Sequence, residues 1–396
     1  MSHSAILPNN DAMFNFFKSH RLPLYFSKPV LRHIQEFIVA ATAKGYRGKV
    51  ADIAEWSSFH RTSIGHFLSQ GVWDESYIRK IVKQESLQFV ASHSKDTEQP
   101  LFVIHDDTVC KKTKPSSQAQ RPIEQADFHY SHLEGKSVWG HQVQATLVQC
   151  GDYSLIHDIR RYDKTKQSKI DDACDLAKNM PIPPRSGYAL VDSWYTCPKL
   201  INAYAARGYQ FIGALKTNRI LYPQGIRVRL DTFASYATKK DVHLVTVNGS
   251  NYWVYRYEGA LNDIENAVVL FCWPKDAFQE PKALHAFLCT DVSLETQTIL
   301  DYYSKRWPIE IFFRQTKGAL GFEGYQVRSI RSIERLWILL AFTHLYCTIG
   351  LGQPLLFGDG LRKVRKEVKA QYVQWIYDCG KSGIPLNVVL ERLKAA

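Results

Sequence analysis

The sequence predicts an α/β protein built on one mixed sheet, with an all-β insertion and an α-helical N-terminal domain before it. Three observations lead to this prediction. From about residue 100, short continuous apolar runs, typical of strands buried on both faces, alternate with helical periodicity. Between 217 and 292, hairpin patterns replace the helical ones. Residues 28–95 show helical spacing only.

Length and composition limit the class of protein. At 396 residues the chain exceeds the usual size of a single core, and a hydrophobic content of 45% is that of a folded protein. The net charge of +12 favours a polyanionic partner, most simply nucleic acid; the alternative is a generally basic soluble protein. Neither a secretory signal nor a membrane span is evident, so we expect a cytoplasmic, nucleoid-associated protein with no membrane partner.

Residues 1–95 are predicted to form a helical DNA-binding domain. Within it, 52–68 has the pattern of a short helix, a Ser-rich turn and a second helix, as in a helix-turn-helix motif. The second helix carries Arg61, Thr62 and Ser63 near its start, where side chains of such a helix reach base edges or phosphates. Many small helical bundles share this pattern, so a purely structural role is the alternative.

Two predicted strands end at acidic residues. The run 101–104 is followed by Asp106 and Asp107, and the run 187–191 is followed by Asp192. A carboxylate at the end of a buried strand is not needed for packing and is costly to bury unpaired, which favours a functional role over the capping of a turn. Successive strand residues point to opposite faces, so only one of Asp106 and Asp107 is expected to join a site.

The elements between and after these acids define the predicted topology. Residues 115–140 are polar and predicted to be a loop; two hairpin strands and a helix capped by Ser168 follow. Another helix and a strand come after Asp192. The order strand, hairpin strands, helix, strand, helix, strand is that of a ribonuclease H-like mixed sheet. The predicted domains are 1–95, helical; 96–216 with 293–352, catalytic; 217–292, β-rich insertion; and 353–396, a basic helical C-terminal region.

A third acid is predicted on a helix that begins at Pro308, because proline suits the first helical turn. Glu310, Arg314 and Lys317 recur on one polar face of that helix, opposite a buried stripe. An ordinary solvated helix with i,i+4 ion pairs is the alternative. Three carboxylates, however, are the oxygen ligands that hard divalent cations prefer.

The three acids together predict phosphoryl-transfer chemistry. Asp106, Asp192 and Glu310 are predicted to be both metal ligands and catalytic residues, with two ions per site. The expected ion is Mg²⁺, with Mn²⁺ as a substitute, because Mg²⁺ needs few protein carboxylates and takes its remaining ligands from phosphate and water.

The spacing around the third acid is Tyr, two residues, Arg, three residues, Glu, six residues, Lys. The residues concerned are Tyr303, Arg306, Glu310 and Lys317. This pattern resembles the Tyr-Arg-Glu-Lys signature of bacterial insertion-sequence transposases of the DDE class. The segments that begin at Asp106 and Asp192 resemble the first and second acid motifs of that family. The resemblance covers about residues 28–350 and favours Asp106 over Asp107 as the first acid.

The resemblance implies a divalent-metal-dependent DNA endonuclease and strand transferase. Such an enzyme cleaves at the terminal inverted repeats of an insertion sequence and joins the freed 3′-hydroxyl to target DNA, as a homodimer on paired ends. The alternatives are a nuclease of the same fold without strand transfer and a non-catalytic DNA-binding regulator derived from a transposase. By the same resemblance, Tyr303, Arg306 and Lys317 hold the transposon-end phosphates. The full set of candidate DNA contacts is Tyr303, Arg306, Arg314, Lys317, Arg61, Thr62, Ser63 and Trp194.

Overall fold

The computed structural model describes residues 11–131, 134–262 and 264–394. The first ten residues, part of the segment in which no secretory signal is evident, lie outside the described residues. The architecture is mixed α/β, with helices packed against one large mixed sheet that contains twelve strands in the described part of the chain. The predicted combination of a mixed sheet with helices is confirmed.

From residue 11 on, where the described part of the chain begins, six helices precede the sheet, and the predicted helix-turn-helix segment is helical at both expected places. The second helix of that segment begins after His60, whose ring accepts a hydrogen bond from the backbone N–H of Thr62 at 3.3 Å. This capping bond satisfies one of the donors that a helix start leaves unpaired. The helices are α1 (Asp11–Ser19), α2 (Leu22–Tyr25), α3 (Lys28–Thr42), α4 (Val50–Ala54), α5 (Arg61–Ser69) and α6 (Glu75–Thr97).

The next eight elements form the part of the sheet that carries the first two acids. They are β1 (Leu101–Lys111), β2 (Asp127–Ser131), β3 (Lys136–Cys150), β4 (Tyr153–Arg161), α7 (Lys169–Lys178), β5 (Gly187–Val191), α8 (Pro198–Ala205) and β6 (Gln210–Leu215). β1 pairs with β3 in antiparallel fashion and with β5 in parallel, and β5 pairs in parallel with β6. Ser168 caps α7 as predicted, accepting the backbone N–H of Asp171 at 3.1 Å.

Two sequence predictions in this region are wrong in extent. β1 does not end near residue 104 but continues to Lys111, so Asp106 and Asp107 lie inside the strand. The continuation is possible because β3 pairs with β1 up to Lys111. The parallel partner of β1, β5, ends earlier, at Val191. The predicted loop 115–140 contains β2 and the first residues of β3, which pair with each other as a hairpin.

Residues 217–292 add further strands, as predicted, but this part of the chain is not all-β, because a short helix, Leu230–Ala234, lies among the strands. The elements are β7 (Ile220–Leu221), β8 (Val228–Arg229), α9 (Leu230–Ala234), β9 (His243–Val247), β10 (Ser250–Leu261), β11 (Ile264–Pro274) and β12 (His285–Cys289), with short 3₁₀ turns at Pro223–Gly225, Lys275–Ala277 and Pro281–Ala283. Asn248 and Gly249 connect β9 to β10 with φ values of 48° and 79°, the positive angles that a two-residue hairpin turn requires. β12 pairs with β6, so these strands continue the same sheet.

Five helices complete the described chain: α10 (Thr296–Ser304), α11 (Pro308–Ala319), α12 (Ile330–Ile349), α13 (Phe357–Lys381) and α14 (Leu386–Lys394). α11 begins at Pro308, as the sequence predicts. α12 is buried along almost its whole length. Within the described ranges, no helix combines the length and the apolar character needed to cross a bilayer.

Arg335 of α12 joins the N-terminal helices to this helix. Its side chain is fully buried, pairs with Glu75 Oε2 at 2.8 Å, and has its guanidinium carbon 4.4 Å from the centre of the Trp73 ring. The same guanidinium donates to the backbone carbonyl oxygens of four residues that follow α5 or end it: Phe67, Leu68, Gly71 and Trp73. One side chain therefore donates to carbonyl oxygens at the end of α5 and after it, and pairs with the first residue of α6, from inside the core.

A candidate active site beside strands β1 and β5

The first two acids lie side by side on neighbouring parallel strands. His105 of β1 and Val191 of β5 are the last paired residues of the two strands, and Asp106 and Asp192 immediately follow them. The Asp192 turn is held by its own carboxylate, because Oδ1 accepts the backbone N–H of Trp194 at 2.9 Å. The sheet register, set by apolar packing, thus places two carboxylates at one edge.

The third acid reaches this edge through Arg306, which lies between α10 and α11. Its Nη1 donates to Asp106 Oδ2 at 3.0 Å, and its Nη2 donates to Glu310 Oε1 in the first turn of α11. The helix is fixed in place by its buried face, which carries Ile309, Phe312, Phe313 and Thr316 as the sequence pattern predicted. One guanidinium therefore brings the carboxylates of β1 and α11 together, although they are about 200 residues apart in sequence.

The acidity of Asp106 shows how strongly this position disfavours an unneutralised negative charge. Burial raises the pKa of Asp106 to about 7; the positive charge of Arg306 opposes the shift, and the negative charge of Asp192 adds to it. Arg306 alone does not restore the ordinary pKa of the carboxyl group. A further cation near Asp106 would stabilise its ionised form.

The chemistry of the three acids fits a hard divalent cation. All three offer carboxylate oxygens, the ligands that such ions prefer, and the buried Asp106 lacks sufficient positive charge around it. In the described part of the chain, no three His, Cys, Asp or Glu side chains are grouped closely enough to hold a metal ion. Arg306 instead supplies the positive charge between Asp106 and Glu310 in this arrangement.

Asp107 points to the other face of β1 and makes different contacts. Its carboxylate accepts hydrogen bonds from Tyr195 Oη and Lys169 Nζ, both at 2.8 Å, and from the side-chain amide of Gln142. None of these partners belongs to the α10–α11 segment that holds Asp106. The two adjacent aspartates are therefore separated by the sheet into two different environments.

The remaining signature residues lie around Arg306 and along α11. Tyr303 has its ring centre 6.0 Å from the Arg306 guanidinium carbon, and burial raises the pKa of this tyrosine to about 12, so its hydroxyl is a neutral donor near pH 7. Lys317 pairs with Glu323 Oε2 at 3.0 Å, and Arg314 is exposed on the same helix. Tyr303 thus lies against Arg306, and Arg314 and Lys317 add positive charge about one and two turns along α11 from Glu310.

Two exposed tryptophans flank the acids. Trp194, a predicted DNA contact, is 38% exposed and has Lys169 Nζ 4.1 Å from its ring centre. Trp307, which sequence reasoning missed, follows Arg306 directly and is 54% exposed. The sequence indicated only that an aromatic residue lies inside the signature. Trp307 lies between two helices, where no periodic pattern predicts whether a side chain is exposed.

The N-terminal candidates Arg61, Thr62 and Ser63 are not brought to the acids. They form the first turn of α5, which packs against α12. Arg61 and Thr62 are exposed and Ser63 is half-buried. The predicted DNA contacts therefore fall on two surfaces, one around the acids and one on the N-terminal helices.

Comparison with known proteins finds a matching family and six matching chains among the solved structures. The family described as transposase DDE domain matches residues 97–346, well over half of the chain and a range that contains all three acids. No curated protein matches the chain. A solved structure similar to the chain, a cryo-EM structure of a piggyBac transposase synaptic complex with hairpin DNA, is 10% identical, with a TM-score of 0.43 over 91% of this chain and 78% of that chain.

Proposed function

This chain belongs to the transposase DDE domain family, and from that membership we propose that it cleaves DNA at the ends of an insertion sequence and transfers the freed 3′-hydroxyl to target DNA. The observation that supports this chemistry best is that Arg306 pairs with both Asp106 and Glu310, while Asp192 follows the strand that lies parallel to the strand of Asp106. A protein that only binds DNA has no use for carboxylates there, since they repel phosphates unless a cation neutralises them.

Asp106, Asp192 and Glu310 are the proposed ligands of two Mg²⁺ ions, or Mn²⁺ in their place. Bound there, such ions would supply positive charge to the attacking and leaving oxygens of an in-line displacement. The protein's part is to hold the three carboxylates ionised and in place. Asp106 must lose its proton to act as a ligand, and its raised pKa of about 7 makes that step responsive to pH.

Tyr303, Arg306 and Lys317 are the proposed contacts of the transposon-end phosphates. Arg306 has five N–H donors, and Asp106 and Glu310 use only two of them, so the guanidinium keeps donors for a phosphate oxygen while it remains beside the acids. Tyr303 supplies a neutral hydroxyl donor, and Lys317 supplies a point charge. Arg314 and Trp194 extend the same surface.

The N-terminal surface is proposed to bind DNA through Arg61, Thr62 and Ser63 at the start of α5. The exposed positions of Arg61 and Thr62 support this proposal. If Arg61 contacts a phosphate, its replacement by Ala weakens DNA binding and lowers the slope of log affinity against log salt by about 1. Fluorescence anisotropy over a range of salt concentrations measures that slope, and an unchanged slope would contradict the contact.

The fold and organisation that accompany this function are also proposals. We assign 96–216 with 293–352 to a ribonuclease H-like catalytic domain, 217–292 to its β-rich insertion, 1–95 to the DNA-binding domain and 353–396 to a basic C-terminal region. We propose that the protein works as a homodimer on paired inverted repeats. Exposed apolar residues on the C-terminal half of α13, Val373, Ile376 and Tyr377, support a self-contact, and sedimentation equilibrium of the protein with and without DNA tests it.

Metal removal is the direct test of the proposed activity. Labelled DNA that carries the element's own ends is incubated with the protein and Mg²⁺, and a matched reaction contains EDTA. We expect nicking at the element end with Mg²⁺ only, and joining of pre-cleaved ends to a target plasmid under the same condition, because both steps need the ionised acids and their metal. Electrophoresis of the labelled strand measures both products.

Two results of this experiment would contradict the proposal in different ways. Metal-dependent cleavage without joining of pre-cleaved ends would indicate a nuclease of the same fold. DNA binding without any nicking, in Mg²⁺ or Mn²⁺, would indicate a non-catalytic regulator.

A further inference from the structure

We infer that Asp107, Lys169 and Tyr195 form a clamp behind the sheet that positions Asp192 and Trp194 relative to Asp106. This inference rests on the proposed function, because it assigns these three residues a positioning role toward the proposed metal ligands. None of the three is itself a proposed ligand or a DNA contact.

Asp107 is the centre of the clamp. One carboxylate oxygen, Oδ2, accepts both the Tyr195 hydroxyl and the Lys169 ammonium group at 2.8 Å, and Oδ1 accepts the amide of Gln142. The side chains of Asp107 and Lys169 are only 15% and 13% exposed, so this ion pair is weakly screened by solvent. Asp107 directly follows Asp106 on β1, so these contacts anchor the strand that carries Asp106 from its opposite face.

Tyr195 connects Asp107 to the second acid. Its side chain is 1% exposed, and it is the third residue after Asp192. While its hydroxyl donates to Asp107, its backbone N–H donates to Asp192 Oδ1 at 3.2 Å. Gln144 of β3 also donates to the Tyr195 hydroxyl, at 3.3 Å. The turn after β5 is thus tied to β1 by a side chain that passes behind the two acids.

Lys169 connects Asp107 to the exposed tryptophan. Its ammonium group contacts the Asp107 carboxylate and lies 4.1 Å from the centre of the Trp194 ring. A cation over an indole face is attractive, and the more so when it is partly desolvated. Lys169 therefore holds the Trp194 indole next to Asp192, and Asp107 in turn holds Lys169.

A clamp of this kind acts on ligand geometry more than on folding. Groups that orient metal-ligating carboxylates from behind influence metal affinity or activity by about 10- to 100-fold when they are removed. The clamp joins the end of β5 to an inner position of β1, on the face opposite the Asp106 side chain. Its loss would leave both carboxylates present but their separation less tightly defined.

The test compares two clamp variants with a matched control. Tyr195→Phe removes one hydroxyl and keeps the buried ring, and Asp107→Asn removes the charge that holds Lys169. Tyr188→Phe is the control. It also removes a tyrosine hydroxyl that donates to an aspartate, in this case to Asp291 at 2.9 Å, but Tyr188 is not part of the clamp. We expect both clamp variants to need about 10-fold or more Mg²⁺ for half-maximal cleavage, and the control to behave as the parent.

Two further readouts separate positioning from a loss of folding or of function. Thermal unfolding of Tyr195→Phe should match that of Tyr188→Phe, and Mn²⁺ binding followed by electron paramagnetic resonance should weaken in the clamp variants only. Clamp variants with the metal requirement of the control would overturn the clamp while leaving the proposed function intact. If the parent shows no metal-dependent cleavage, the proposed function fails, and hydrogen exchange of the backbone amides of residues 192–197 tests the clamp by itself. The clamp is overturned if these amides exchange no faster in Tyr195→Phe than in Tyr188→Phe.

Discussion

Glu310→Gln is expected to slow Mg²⁺-dependent cleavage at the element end by about 10³-fold and to leave DNA affinity within about twofold. The amide keeps the shape of the side chain and an oxygen that accepts the hydrogen bond from Arg306. It removes the negative charge of a proposed metal ligand. A bound metal stabilises the transition state by several kcal/mol, and a loss of about 4 kcal/mol of that stabilisation corresponds to the expected 10³-fold decrease in rate. Single-turnover cleavage and fluorescence anisotropy measure the two quantities.

Glu323 provides the matched control for this substitution. It is an acid in the turn that follows the same helix, where it pairs with Lys317 at 3.0 Å, and it is not a proposed ligand. Glu323→Gln should cleave within a few-fold of the parent rate. If Glu310→Gln cleaved as fast as Glu323→Gln, the assignment of Glu310 as the third acid would be wrong.

Arg335→Met is expected to lower the free energy of unfolding by about 3–5 kcal/mol, the cost of breaking a buried charge pair by removing one partner. The substitution leaves Glu75 without its partner and removes the donor of four backbone carbonyl oxygens between α5 and α6. Methionine keeps much of the apolar volume, so the loss reports mainly on hydrogen bonding and charge. Urea unfolding followed by circular dichroism measures it.

Arg331 serves as the control for Arg335. It lies one turn earlier on α12 and is exposed, so Arg331→Met should change the free energy of unfolding by less than about 1 kcal/mol. An Arg335→Met protein as stable as Arg331→Met would show that the N-terminal helices hold together without this side chain.

Local sequence signals predicted much of the fold. Proline at 308 marked the start of α11, the Asn248-Gly249 pair marked the β9–β10 hairpin, and the apolar run 187–191 ended at Asp192 as expected. Each of these signals acts through its nearest neighbours: a fixed φ angle, a positive φ angle or a buried run. The sequence therefore contains enough information to place them.

Long-range pairing decided the features that the sequence did not predict. β1 continues past its apolar residues because β3 is available as a partner, and the missed start of β3 is explained by its pairing with β2. Alternation along β1 showed that Asp106 and Asp107 face opposite sides, but their partners, Arg306 and Lys169, come from segments far away in sequence. No local pattern indicates which helix will cover which face.

The pairing of β12 with β6 has a mechanical consequence. Backbone pairing runs without interruption from β5, which leads into Asp192, through β6 and β12 to β11 and β10. The register that begins with the pair Leu215 and Ala286 holds these outer strands to β6. The distance between a group on β10 and the Asp192 carboxylate is thus set when the chain folds.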